Sequence, residues 1–218
     1  MRPDALIFDL DGTLWDTNRT CADAWNRVLT RLGVVYRPIT ALDIAAVAGQ
    51  PHTEAVRRVF TDLSAEQIAR IAAETEGDDN RAIAEFGADL YPGVREGIPR
   101  LSAVLPLMIV SNCQRGYIET FLEWSGLGSY FTDFECWGNS GRPKADNLGA
   151  VIARNGLRAP WFIGDTEGDR QAAQANGVPF VYVSYGFGKV EQSDHRLDCF
   201  ADLTELLARA GAPRGSKT

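Results

Sequence analysis

Apolar and polar positions divide the chain into two regimes. Short apolar runs stand at Ala5–Phe8, Leu107–Val110, Trp161–Ile163 and Phe180–Val183, each bounded by polar or turn-forming residues. Runs this short and without alternation suit strands buried on both faces. Elsewhere the spacing is helical. Thr20 to Leu32 carries Ala24, Val28, Leu29 and Leu32 on one face and stops at Gly33. Thr40 or Asp43 caps a short helix through Val47 that ends at Gly49, and Gln50-Pro51-His52 reads as a loop. A helix follows from Thr53 or Glu54 to Phe60. Ser64-Ala65-Glu66-Gln67 matches a capping box and predicts a helix to about Thr75, with Gly77-Asp78-Asp79-Asn80 interrupting it before Arg81–Phe86. From Asp16 to Asp89 nothing alternates as a strand would, so this segment is expected to be a helical insertion.

Beyond Tyr91-Pro92-Gly93 the two regimes interleave. Helical patterns cover Val94–Leu105, Arg115 or Gly116 to Trp124, Ala145–Asn155 behind Pro143, Glu167–Asn176 and Leu203–Ala210, and Phe131–Glu135 reads as a further short strand. Strands alternating with helices of about 10–15 residues imply right-handed crossovers and a parallel sheet, hence an α/β fold. Gly211 to Thr218 mixes Gly, Pro, Ser and basic side chains and reads as a frayed end.

Composition narrows the function classes. The 218 residues are 45% hydrophobic and 23% charged, enough for one ordinary core plus an insertion. A formal charge of −7 argues against broad nucleic-acid or anionic-membrane binding, while leaving room for a small anion in one locally positive pocket. No apolar run approaches spanning length, and no secretory signal is evident. Cys21, Cys113, Cys136 and Cys199 are scattered with no C-x-x-C pair, which suits reduced thiols in a cytoplasm.

The chemistry collects where the apolar runs end. The first stops at Asp9 and Asp11, the second at Ser111 and Asn112, the third at Asp165 with Asp169 four residues on. In a parallel sheet these tips share one edge, where open α/β sheets bind ligands. Carboxylates so gathered repel one another unless a hard divalent cation sits among them, and an oxygen-only set suits Mg2+ rather than zinc or copper. Ser111 and the N–H groups of a following helix start can hold phosphate oxygens. Lys144 supplies a positive side chain at a helix start, with Arg142 close by.

Four motifs in order, Asp9-Leu10-Asp11-Gly12-Thr13, Val110-Ser111-Asn112, Lys144, and Gly164-Asp165-Thr166-Glu167-Gly168-Asp169, resemble the phosphatase side of the haloacid dehalogenase superfamily. The helical segment between the first two is similar in placement to the α-helical cap of the subgroup that contains phosphoglycolate phosphatases and β-phosphoglucomutases. The resemblance implies a Rossmann-like three-layer core from residues 1–15 and 90–218, with a helical cap at 16–89. It also implies a Mg2+-dependent phosphatase for a small phosphomonoester, phosphoglycolate by default. A sugar phosphomutase is the first rival and a catalytically idle binding protein the second. Oligomeric state is not readable.

The same resemblance assigns roles. Asp9 attacks phosphorus and becomes an aspartyl phosphate, and Asp11 protonates the leaving alkoxide and later activates water. Asp9, Asp165 and the backbone carbonyl of Asp11 hold Mg2+, with Asp169 assisting from the second rank. Ser111, the Asn112 backbone and Lys144 hold the transferring oxygens. Dehalogenases of the superfamily need no metal and lack an acid at the second aspartate, so Asp11, Asp165 and Asp169 favour phosphoryl transfer. The third motif departs from the common Lys-Pro-x-Pro-Asp: aligning on Pro143 selects Arg142, aligning on the helix start selects Lys144. Lys144 is preferred, because a compact ammonium can bridge two oxyanions.

Other residues carry two readings each. Gln50 and His52 stand in the cap loop where related phosphatases read the leaving group, or are simply polar surface residues. Trp15 lines the cap–core mouth and stacks on substrate, or packs. His195 is expected to face solvent, Cys113 to be a small buried side chain, and Tyr185-Gly186-Phe187-Gly188 to form a loop beyond a strand tip, bordering the site.

Overall fold

The computed structural model describes residues 2–211; most of the tail expected to fray, 212–218, lies outside them. In chain order the first half comprises β1 (Leu6–Phe8), β2 (Trp15–Asp16), α1 (Asn18–Leu32), α2 (Ala41–Ala45), α3 (His52–Val59), α4 (Ala65–Phe86) and β3 (Asp89–Leu90). There follow α5 (Val94–Ser102), β4 (Leu107–Ser111), α6 (Tyr117–Ser125), β5 (Asp133–Cys136), α7 (Trp137–Ser140) and α8 (Lys144–Arg154). The chain closes with β6 (Trp161–Gly164), α9 (Glu167–Ala175), β7 (Phe180–Val183), β8 (His195–Leu197) and α10 (Asp202–Gly211).

All the apolar runs join one parallel sheet in the order β5-β4-β1-β6-β7-β8. Alternate residues bury on opposite faces. Leu6, Phe8, Ile109, Ile163 and Val181 share a core with Ile98, Phe121 and Leu203 of α5, α6 and α10. Ile7, Met108, Val110, Phe162 and Tyr182 meet Leu148, Val151 and Ala172 of α8 and α9. Two buried faces make three layers, the Rossmann-like arrangement expected. β1 lies between β4 and β6, with Phe8 opposite both Ile109 and Ile163. The chain leaves β1 toward β4 and β5, then crosses back to β6. That reversal opens a crevice at the C-terminal tip of β1, where Asp9 begins.

Several expectations are corrected. The sequence Gly77-Asp78-Asp79-Asn80 does not break a helix; α4 runs uninterrupted for 22 residues. Its polar residues find partners: Asp78 pairs with Arg31 of α1 and, within the helix, with Arg81, and buried Asp79 accepts Trp25 Nε1–H at 3.1 and 3.2 Å. The segment taken to hold no strand begins and ends in one, because Trp15 and Asp16 of β2 pair antiparallel with Leu90 and Asp89 of β3. His52 opens α3 instead of lying in a loop. His195 belongs to edge strand β8, with its ring 4.8 Å from that of Trp161, rather than facing solvent freely. Trp15 is fully buried, edge-on to Tyr117 at 5.4 Å and Phe121 at 5.0 Å, so it has no face for a substrate. No helix among the described residues is long and apolar enough to cross a membrane.

Candidate active site

Asp9 is the first residue past β1, and its N–H still donates to Ile163 O (2.8 Å), so the ladder itself fixes its backbone. The side chain is 1% exposed. Lys144, at the start of α8 behind Pro143, reaches in and donates to Asp9 Oδ1 and to Asp169 Oδ1, both at 2.7 Å. Arg142 stays exposed, and its recorded hydrogen bonds are backbone ones: its carbonyl accepts from Asn147 Nδ2 and its N–H donates to Ser140 Oγ. Of the two third-motif alternatives, the structure therefore brings Lys144 to Asp9 and leaves Arg142 outside.

Asp169 does two jobs. Its Oδ2 accepts Thr166 N–H (2.9 Å) and Oγ1–H (2.6 Å), closing a capping box that starts α9, while Oδ1 takes the ammonium. Gly164 must lack a side chain, because a Cβ there would sit 2.6 Å from Asp169 Cβ. Asp165 is held by the loop after β7: Phe187 N–H and Gly188 N–H donate to its Oδ2 at 2.7 and 3.2 Å, and Thr13 Oγ1 lies 3.5 Å from Oδ1. Gly12, at φ +80°, turns the chain after Asp11 against Asp165, with no room for a Cβ. The Tyr185–Gly188 loop thus borders the site, and Tyr185 O–H anchors it to Thr13 O.

Asp11 points the other way, toward the cap side. Its Oδ1 accepts from Tyr117 O–H (2.9 Å) and Thr17 Oγ1–H (3.3 Å). Sequence reasoning missed Tyr117; nothing local marks the first residue of α6 as a partner for a carboxylate over a hundred positions earlier. Ser111 and Asn112 stand at the tip of β4 and line the same cleft as Asp9 and Asp11. Asn112 Nδ2 also donates to Gly49 O (2.8 Å), tying the core to the loop before α3. Gln50 and His52 line the cleft from the opposite side.

Charge is the dominant feature of this crevice. Ligand atoms of Asp9, Asp165 and Asp169 all lie within 4.8 Å of one another, all buried. Burial, then repulsion from Asp169, raises the Asp9 pKa well above the usual carboxylate range. The same two causes lift Asp165 to about 7. Burial lifts Asp11 to about 6, against the hydrogen bond from Tyr117. For Lys144 burial disfavours the ammonium, but Asp169 and Asp9 outweigh it and push its pKa up. One ammonium faces three carboxylates, and Asp9 Oδ2 is buried without a hydrogen-bond partner among the described residues. An orphaned oxygen in an all-oxygen, net-negative pocket fits a hard divalent cation such as Mg2+.

A parallel sheet with acidic groups at the tips of β1 and β6 and an ammonium between them defines a class of hydrolase. The family model of the haloacid dehalogenase-like hydrolases matches residues 6–183, and the chain belongs to that family. A phosphoglycolate phosphatase of Agrobacterium fabrum is 28% identical over 225 residues, covering 96% of this chain and 94% of its own. That of Synechococcus elongatus is 34% identical over 189 residues, covering 84% of each chain. Among solved structures, a haloacid dehalogenase-like hydrolase of Streptococcus pneumoniae superposes with a TM-score of 0.81 at 24% identity, over 95% of this chain and 98% of that one. A HAD-superfamily hydrolase of Geobacter sulfurreducens gives 0.71 at 21%, over 94% and 96%. At these identities the structural likeness concerns the fold.

Proposed function

We propose that this chain is a Mg2+-dependent phosphatase that hydrolyses a small phosphomonoester through an aspartyl phosphate on Asp9. Residues 1–15 and 90–218 are its catalytic core and 16–89 its cap. The observation that carries the reading is the single Lys144 ammonium bound to Asp9 and Asp169 at 2.7 Å, with Asp165 alongside and Asp9 Oδ2 free of partners. Phosphoglycolate, the substrate in the names of the relatives, is the first compound to test.

The side chains of Asp9 and Asp165 and the carbonyl of Asp11 would hold the cation, which supplies charge neutralisation on the phosphoryl oxygens. An Asp9 oxygen attacks phosphorus and the bond to the leaving oxygen breaks. Asp11, whose raised pKa keeps a proton available, delivers it to that oxygen. Water then attacks the acyl phosphate, Asp11 takes its proton, and inorganic phosphate departs with Asp9 regenerated. Lys144, Ser111 and the Asn112 N–H hold the other phosphoryl oxygens as charge develops. Asp169 keeps Lys144 in place, and the Phe187 and Gly188 amides keep Asp165 in place.

The test is release of inorganic phosphate from a panel of phosphomonoesters with and without Mg2+. Turnover that needs Mg2+ and falls at least about a thousandfold in Asp9→Asn is expected. Sugar phosphate isomerised with no phosphate released would select the phosphomutase, and no reaction with any ester would leave the idle binding protein.

A further inference from the structure

The cleft above Asp9 has a second wall, made by the cap, and its chemistry is not that of an anion site. Ile44, Val47 and Ala55 supply apolar surface there, Trp25 adds an indole, and the polar side chains are the neutral Thr17, Asn18 and Gln50 and half-buried His52 with its buried partner Asp79. No lysine or arginine lines this cleft among the described residues, and the ammonium of Lys144 lies on the core side against Asp9 and Asp169, where the phosphoryl group and not the leaving group would meet it. A carboxylate drawn out of water into such a wall would lose hydration with no cation to replace it.

The pair cannot act as that cation. His52 Nε2 lies 3.1 Å from Thr75 Oγ1 and 3.6 Å from Asp79 Oδ2. Thr75 donates its own hydrogen to Ile71 O at 2.8 Å, so toward His52 it can only accept. Nε2 therefore carries a hydrogen, aimed at Thr75 and Asp79. Nδ1 is the ring nitrogen without a partner among the described residues, and in the neutral ring it is an acceptor. Asp79 also takes Trp25 Nε1–H at 3.1 and 3.2 Å. While Asp79 is ionised, the sum of their charges is zero or negative whatever proton the imidazole carries.

We propose, resting on the phosphatase reading above, that this cap wall selects phosphomonoesters whose leaving group is uncharged and carries a hydroxyl, and rejects those that end in a carboxylate. His52 Nδ1 and the Gln50 amide meet the hydroxyl, and the apolar residues meet the methylene groups. His52, Gln50 and Asp79 are thus specificity residues, Asp79 acting through His52.

A matched pair of esters tests this: 2-hydroxyethyl phosphate and phosphoglycolate differ only in a CH2OH for a carboxylate. With the full chain and Mg2+, kcat/KM is expected to favour 2-hydroxyethyl phosphate by about tenfold or more. Gln50→Lys, which adds a cation to the wall, and Asp79→Asn, which removes an anion, should each move the ratio toward phosphoglycolate by about fivefold or more. If Asp79 and His52 merely tie α3 to α4, both esters fall together and the ratio stays fixed, which overturns the proposal. Should Asp79→Asn fail to fold, Gln50→Lys decides alone. p-Nitrophenyl phosphate reports the chemistry separately. Its Mg2+-dependent turnover, with phosphoglycolate equal or preferred between the matched esters, overturns this inference and leaves the phosphatase reading standing. No turnover of any of the three esters overturns both.

Discussion

At Gly186 a Cβ would lie 2.3 Å from Gly12 O and 2.4 Å from Asp165 Cβ, so the loop can reach Asp165 only because that position has no side chain. Gly186→Ala must push the loop outward and weaken the Phe187 and Gly188 hydrogen bonds to Asp165 Oδ2, which are charge-assisted. The Mg2+ concentration for half-maximal activity is expected to rise about tenfold or more, read from a metal titration. An unchanged titration would show that Asp165 does not depend on the loop. The residues legible in the sequence were those announced by a strand ending in acid: Asp9, Asp11 and Asp165. Chemistry favours Lys144 over Arg142, since a compact ammonium can bridge two oxyanions, and the structure places Lys144 against Asp9. Tyr117, Asp79 and Trp25 were not legible, since each matters through a partner far away in the chain. Trp15 misled for the opposite reason, because adjacency to a motif says nothing about which way a buried indole faces.

At the scale of elements, periodicity located every strand that is buried on both faces. It failed for β2, β3 and β8, which are two or three residues long and owe their existence to pairing, not to an apolar run. It failed too in α4, where Gly and Asp have low helix propensity but the Arg31, Arg81 and Trp25 partners outweigh it. That helix retains the cost of Gly77. The nearest group to a Cβ there would be the exposed end of Arg81, its guanidinium 3.2 Å away. Gly77→Ala is therefore expected to stabilise the fold by about 0.5–1 kcal/mol, read as a higher denaturation midpoint with an unchanged slope. A lower midpoint would mean that the backbone at Gly77 is not an ordinary helical one.

At the scale of the whole molecule, the site opposes stability. Burial raises the pKa values of Asp9, Asp11 and Asp165, the latter two to about 6 and about 7. Between about pH 4, the usual carboxylate value, and about pH 7, these three carboxyls then bind more protons in the metal-free folded state than in the unfolded chain. Their contribution to stability falls as pH rises through that window. A cation competes with those protons, so its stabilising effect must grow as they leave. The increase in melting temperature caused by Mg2+ is expected to be larger at pH 8 than at pH 5. Equal increments, or a larger one at pH 5, would place the bound ion away from these carboxylates. The three-layer sheet that gathers the acids was legible from alternating strands and helices. The strand order was not, because hydrophobic pattern fixes which runs are buried and leaves open which lie side by side.

The proposed reaction turns on Asp9 accepting phosphorus. Acid-quenching the enzyme during turnover of a phosphomonoester with Mg2+, and assaying protein-bound phosphate that hydroxylamine releases, measures that step itself. Wild-type protein should carry such phosphate on the peptide containing Asp9, and Asp9→Asn should carry none. Steady release of inorganic phosphate by Asp9→Asn at the wild-type rate would contradict the account.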